Sequence, residues 1–132
     1  MKYMLLMQAS ERIEGPPIHT WAPADVSAHI QFMRDTNAKL VADGELVDAQ
    51  GLAGPEDAKV VRASKAGAPE VTDGPFPESK EFLAGYWVID VESQERAIEV
   101  AAAISLAPGP GGVPLNLPIE VRQVMSAPPQ DA

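Results

Sequence analysis

The chain has 132 residues, of which 45% are hydrophobic and none is cysteine. These values predict one globular domain with a real core, and they exclude disulfides, thiolate metal sites and cysteine nucleophiles. The net charge of −9 repels phosphate backbones and anionic membranes, so we expect neither nucleic-acid nor membrane binding.

The N-terminal segment predicts a strand and no secretory signal. Residues 2–8 alternate between two mainly apolar faces, both of which we expect to be covered. No cleavage region precedes them, and no apolar run approaches the ~20 residues that span a bilayer. We therefore expect a cytoplasmic protein.

The apolar period becomes helical over residues 24–43, and Gly44 supplies the C-terminal stop. Asn37 falls inside the apolar stripe, so we expect it to have a hydrogen-bond partner. The apolar side of this helix is predicted to contain Val26, Ile30, Met33, Leu40 and Val41.

Further strand signals follow. Residues 45–53 predict a second strand, with Leu46, Asp48 and Gln50 on one face, and residues 58–72 predict an inserted hairpin.

The C-terminal third predicts a second helix, a loop and a last strand. Ser93 is a favourable N-cap for a helix that ends near Ser105. Residues 106–118 contain four prolines and three glycines, which predicts a loop, with a flexible connector at residues 109–112, before the strand over 119–125. We expect residues 1–126 to form a single domain and residues 127–132 to be a flexible tail.

The most informative stretch joins a turn to a central strand. The tetrapeptide DGPF occupies residues 73–76, where Gly74 is expected to take a positive φ. The strand over residues 82–91 follows and is rich in aromatic and β-branched side chains.

With its flanking residues, this tetrapeptide resembles the signature of the DGPF branch of the YCII-related domain family. The other positions that carry the resemblance are Glu78, Lys80, Glu81 and residues 85–90, together with Gly44, the pair Gly51-Leu52 and residues 119–122. The resemblance covers nearly the whole chain and implies a dimeric α/β barrel. It also implies a function of one of two kinds, because relatives resemble either enzymes with a helix histidine or accessory proteins found with sigma-factor regulators.

The order of elements predicts an α+β fold of the ferredoxin-like split βαβ type, with an antiparallel sheet and two helices on one face. Phe82, Tyr86 and Val88 share one face of the central strand. Because two helices cover only one sheet face, the other is left apolar and exposed in a monomer. We therefore expect a homodimer through the sheet face.

Two residues are candidates for catalysis. His29, on the first helix, is either a general base or an ordinary helix residue. The helix histidine that the resemblance implies falls near Met33, one turn from His29. Asp73 either accepts backbone N–H groups in an Asx-turn or takes part in catalysis.

The candidate ligand-binding residues are Asp48, Gln50, Arg62, Phe76 and Tyr86. Asp48 and Gln50 are expected to face the space between the two sheets of the dimer. A buried carboxylate there needs a ligand or a cation such as Arg62 or Arg122.

Two functions remain open. The first is small-molecule binding, with or without catalysis, in a pocket between sheet and helices or at the dimer interface. The second is a non-catalytic interaction or regulatory role associated with sigma-factor systems. The two histidines, His19 and His29, form no metal motif, and the sequences GxSxG and GxGxxG are absent, so we expect no metal and no cofactor.

Overall fold

The computed structural model describes residues 1–9, 18–74 and 81–125. The strands in these ranges are β1 (Lys2–Ala9), β2 (Leu46–Gly51), β3 (Lys59–Arg62), β4 (Glu70–Asp73), β5 (Phe82–Asp90) and β6 (Ile119–Gln123). The α-helices are α1 (Pro23–Ala42) and α2 (Gln94–Ser105), and single 3-10 turns cover Ile18–Thr20, Pro55–Asp57 and Pro110–Gly112.

The main sheet has the strand order β2-β5-β1-β6, and every neighbouring pair is antiparallel. This order, with α1 and α2 as the crossovers, is the predicted ferredoxin-like α+β arrangement. The inserted hairpin forms a separate two-stranded sheet of β3 and β4. Gly74 ends this hairpin with a φ of +75°, which confirms the positive φ predicted for the DGPF turn.

Hydrogen bonds between neighbouring residues define the end of α1 and the start of α2. At the end of α1, Gly44 has a φ of +72°, its N–H donates to the carbonyl of Val41, and the N–H of Glu45 donates to the carbonyl of Leu40. These two bonds form a Schellman motif, which satisfies carbonyls that the helix itself leaves free. At the start of α2, the hydroxyl of Ser93 accepts from the N–H of Arg96 at 3.1 Å, as predicted for an N-cap.

The core lies between the two helices and one face of the sheet. Its fully buried large side chains are Leu5, Ile89 and Ile104. The helix α2 buries four side chains there, whereas α1 buries only Leu40. Two members of the predicted apolar stripe of α1, Ile30 and Val41, are 42% and 62% exposed. The prediction was therefore wrong at these two positions, because polar side chains occupy part of the sheet-facing side of α1, whereas Leu40 and Met33 pack against the core as predicted.

One ion pair ties the start of β2 to α2. The guanidinium of Arg96 donates to both carboxylate oxygens of Glu45, from Nη2 at 2.7 Å and from Nε at 3.0 Å. These bonds hold the pKa of Glu45 below its ordinary value. The same bonds raise the pKa of Arg96 above its ordinary value. A planar bidentate pair of this kind fixes the relative position of the two elements.

A register shift in β2 changes the face on which its first residue lies. Leu46 pairs with Ile89 and Asp48 pairs with the adjacent Val88, so Val47 is the extra residue of a β-bulge. Leu46 therefore packs against the core, while Asp48 lies on the opposite face of the sheet. The prediction that the two share a face was wrong because a bulge inverts the alternation.

The sheet face away from the helices contains Met4, Leu6, Tyr86 and Val88, all of which are half-buried. Phe82 lies on the opposite face, because the register shift between Met7 and Gln8 makes Ala84 the extra residue of a β-bulge and pairs Phe82 with the buried Ala9. The face assignment made from the sequence was therefore right for Tyr86 and Val88 and wrong for Phe82, because the bulge inverts the alternation. The homodimer inferred from that assignment stays a prediction. Among the described residues, no helix is both long and apolar enough to cross a membrane.

Candidate functional site

A cleft of about 250 Å³ opens between α1 and the sheet. Its walls come from α1, β1, β2 and β5. The residues that line it are Met7, His29, Met33, Asn37, Ala49, Gln50, Gly51, Ala84, Gly85, Tyr86 and Trp87. One predicted catalytic residue, His29, lines this cleft from α1, and two predicted ligand-binding residues, Gln50 and Tyr86, lie at its margin on β2 and β5 with their side chains on the other face of the sheet.

The cleft exists because two glycines pair across β2 and β5. Gly51 lies opposite Gly85, so the sheet has no side chain at this point to fill the space beneath α1. A Cβ on Gly85 would lie 2.9 Å from the carbonyl oxygen of Gln50, so this position tolerates only glycine without a backbone shift. A Cβ on Gly51 would meet no atom within 4 Å, because it would enter open space.

His29 is held in one orientation by a loop distant in sequence. Its Nδ1 lies 3.0 Å from the carbonyl oxygen of Pro108, and its ring forms a T-shaped pair with Trp21, with centroids 5.6 Å apart. A carbonyl oxygen only accepts, so Nδ1 carries a hydrogen. In the neutral imidazole the lone pair then resides on Nε2, which is the nitrogen that a ligand can use.

The loop over residues 106–118 is internally hydrogen-bonded, including residues 109–112, where the composition predicted a flexible connector. The N–H of Leu115 donates to the carbonyl of Ala107 at 2.9 Å, and the N–H of Gly109 donates to that of Val113 at 2.8 Å. The N–H of Gly111 also reaches the carboxylate of Asp25 on α1. These bonds bring the Pro108 carbonyl to His29, a contact with no local sequence signal.

The amide of Asn37 is the second oriented polar group of the cleft. Its Oδ1 accepts from the indole Nε1–H of Trp87 at 2.9 Å. This bond confirms the prediction that Asn37, inside the helix stripe, has a hydrogen-bond partner. It also satisfies the N–H of Trp87, whose side chain is almost completely buried.

Asp48 organises a small network on the other face of the sheet, at the margin of the cleft. Its Oδ1 accepts from Gln50 Nε2 at 3.0 Å and from the Ala49 N–H at 2.9 Å, and its Oδ2 lies 3.4 Å from the hydroxyl of Tyr86. These neutral donors occupy the position where the sequence had suggested a cation. Arg62 lies elsewhere, on β3 opposite Glu70.

The remaining candidates lie away from the cleft. Arg122 is on the edge strand β6 and pairs with Met4. Asp73 forms an ion pair with Lys59 on the hairpin sheet, and its side chain is 87% exposed. The structure therefore does not bring His29 and Asp73 together at the cleft. Phe76 lies outside the described residues.

No group of three or more metal-ligating side chains occurs within residues 1–9, 18–74 and 81–125. The cleft itself carries no Lys, Arg, Asp or Glu among its described lining residues. Its polar side-chain groups on the α1 side of the sheet are the imidazole of His29 and the amide of Asn37, since the Gln50 amide and the Tyr86 hydroxyl bond to Asp48 on the other face. Such a set can exchange hydrogen bonds with a ligand, and the imidazole can also take up a proton.

Two comparisons with known proteins are informative. The family model of the YCII-related domain matches residues 1–113. An uncharacterised protein of Rhizobium meliloti (strain 1021) is 40% identical over 80 residues, which are 58% of this chain and 64% of the relative. The match therefore spans just under two thirds of that relative's length.

Proposed function

We propose that this chain, which belongs to the YCII-related domain family, binds a small uncharged molecule in the cleft between α1 and the sheet. In this proposal, His29 accepts a hydrogen bond or a proton from the ligand. The observation that carries the proposal is the bond from Nδ1 of His29 to the Pro108 carbonyl, in a cleft that a glycine pair keeps open.

The ligand class follows from what lines the cleft. A charged ligand would lose water without gaining a counter-charge, since the described lining residues include no ionic side chain of either sign. The nearby Asp48 carboxylate and the net charge of −9 further disfavour anions. Met7, Met33 and Trp87 supply apolar wall. We therefore propose a largely apolar ligand smaller than the drug-sized molecules that occupy pockets of ~300–1,000 Å³.

Proton transfer is the chemistry that this arrangement supports. A neutral imidazole whose Nδ1–H is held by a carbonyl presents Nε2 as a base of fixed position. Asp73, the other catalytic candidate, has no part in this proposal because it is paired with Lys59 on the exposed hairpin. We therefore place the acid–base function on His29 alone.

We also propose that a second copy covers the free face of the sheet. Half-buried apolar side chains from β1 and β5, among them Met4, Leu6 and Val88, lie there without a covering layer in the described part of the chain. Burial of each such side chain contributes roughly 1.5–3 kcal/mol. The Asp48 network would then lie at the margin of the interface.

The test uses 4-(hydroxymethyl)acetophenone, a neutral aromatic alcohol and ketone, and 4-(hydroxymethyl)benzoate, its anionic counterpart. We expect the neutral probe to shift the amide NMR signals of cleft residues and the anion to shift none. In Gly51→Val, the added methyls enter the cleft and should abolish the shifts. The control is Ala63→Val, an exposed position after β3 that does not line the cleft.

Equal shifts by the neutral probe in wild type and Gly51→Val would contradict the proposal. Absence of any shift in the wild-type protein would also contradict it and would favour the non-catalytic accessory protein that the sequence left open.

A further inference from the structure

The side-chain amide of Asn37 is fixed in one of its two flip states. The indole nitrogen of Trp87 only donates, so the atom 2.9 Å from it is Oδ1 of Asn37. Trp87 is 5% exposed, and an unbonded N–H there would be costly. The amide therefore cannot rotate by 180° without loss of this bond.

This orientation leaves the Nδ2 group with two donors that are not used. Within the described part of the chain, no residue accepts a hydrogen bond from Nδ2 of Asn37. Asn37 is half-buried and lines the cleft. The cleft thus offers a donor whose direction is set by a buried tryptophan.

His29 and Asn37 are eight residues apart on α1, with Met33 midway between them, and all three line the cleft. Residues at i, i+4 and i+8 share a helix face, and eight residues correspond to a rise of about 12 Å. The acceptor Nε2 of His29 and the donor Nδ2 of Asn37 therefore belong to opposite ends of an apolar middle section. Beneath that section lie Gly51 and Gly85.

From this placement we infer that Asn37 is a specificity-determining residue that binds a carbonyl group of the ligand. The ligand is then an elongated, uncharged molecule with a hydroxyl at the His29 end, an apolar centre, and a carbonyl at the Asn37 end. This inference rests on the proposed function of the cleft and adds the polarity and direction of the ligand within it.

The experiment compares two probes that differ only at the Asn37 end. One is 4-(hydroxymethyl)acetophenone, and the other is 4-ethylbenzyl alcohol, in which an ethyl group replaces the acetyl group. Dissociation constants come from NMR titration, with the indole N–H signal of Trp87 as a local reporter. Because a single neutral hydrogen bond changes affinity by about 3- to 10-fold, we expect the ketone to bind tighter by that factor in wild type.

Asn37→Asp is the matched variant. A carboxylate still accepts from Nε1 of Trp87 but has no N–H to donate, so the Trp87 bond is retained and the donor is lost. We expect the ketone to lose its advantage over the ethyl probe, while the Trp87 indole signal keeps its hydrogen-bonded position. The ethyl probe makes no bond to the amide, so its affinity for each protein is the reference against which the ketone preference is measured.

The possible failures are distinguishable. If both probes bind wild type equally, or if Asn37→Asp keeps the ketone preference, then Asn37 does not bind the carbonyl, although the cleft remains a binding site. If neither probe binds wild type, or if Gly51→Val binds both as well as wild type does, then the proposed function fails, and the inference about Asn37 fails with it.

Discussion

The two helices cover the same face of one sheet, yet they do so in different ways. The helix α2 places four buried side chains on the sheet, three of which are Ala97, Val100 and Ile104. The helix α1 is longer by eight residues but buries only Leu40. Instead, its sheet-facing side carries His29 and Asn37 above a pair of glycines.

Within the helical layer, α2 mainly contributes to stability, whereas α1 lines the candidate site. Small and branched side chains let α2 pack closely, and the ion pair between Arg96 and Glu45 fixes its position relative to β2. The polar residues of α1 and the glycines of the sheet beneath them bury little apolar surface. They leave a cleft with oriented hydrogen-bonding groups. Local departures from good packing of this kind are common at functional sites.

The largest expected effect tests this comparison directly. Ile104 of α2 is 1% exposed, and Ile104→Ala should destabilise the protein by about 3 kcal/mol through lost burial and a residual cavity. Met33 of α1 borders open space, and Met33→Ala should cost only about 1 kcal/mol. Urea denaturation gives both values. Equal losses would show that α1 packs as tightly as α2.

The second prediction concerns the sheet face that neither helix covers. In Val88→Asp, a charge replaces a half-buried apolar side chain on this face, so the proposed dimer should dissociate or the protein should aggregate. The expected loss is roughly 1.5–3 kcal/mol per protomer. Light scattering at micromolar concentration measures the mass, and Val47→Asp, at the exposed bulge of β2, is the control. A monomeric wild-type protein would defeat the prediction.

The third prediction sharpens the structural role of α2. Glu45→Gln removes the charge that Arg96 binds in bidentate fashion and should cost about 1–2 kcal/mol at pH 7. The native pKa of Glu45 lies below its unfolded-state value of about 4.3, so this contribution is present above that value and is lost as the pH falls through the native pKa.

Urea denaturation between neutral pH and about pH 3 should therefore show wild type and Glu45→Gln converging as the pH is lowered. Glu99 also accepts from Arg96, but its side chain is 67% exposed, so Glu99→Gln is a suitable control with a loss below about 0.5 kcal/mol. A constant difference across this pH range would mean that the Glu45 carboxylate is not the source of the stability.

The fold was predictable from the sequence because each of its signals is local. Apolar periods, the cap at Ser93, the stop at Gly44 and the turn glycine at Gly74 each have a physical cause within a few residues. Together with the element order, these were sufficient for the ferredoxin-like arrangement.

The site was only partly predictable, because it depends on contacts between distant segments. His29 and Tyr86 were identified as candidates, but the partner of His29 is a backbone carbonyl 79 residues away, at Pro108. A carbonyl has no residue-type signature, and a Pro- and Gly-rich loop suggests flexibility. The bulge at Val47 and the pairing of Gly51 with Gly85 likewise depend on strand register, which a single sequence does not fix.

The last and smallest effect concerns the two glycines under α1. Gly85→Ala should destabilise the protein, because its Cβ would lie 2.9 Å from the Gln50 carbonyl oxygen and the backbone must shift. Gly51→Ala should instead stabilise it by about 0.5 kcal/mol, since the new Cβ meets nothing within 4 Å and the unfolded chain loses conformational freedom. Thermal unfolding measures whether each variant is more or less stable than wild type.

The same Gly51→Ala change should weaken binding of 4-(hydroxymethyl)acetophenone, because the methyl group enters the cleft. A stabilised Gly51→Ala protein with wild-type affinity would mean that the glycine is not needed for the cleft, and the contrast between α1 and α2 would then lose its functional meaning.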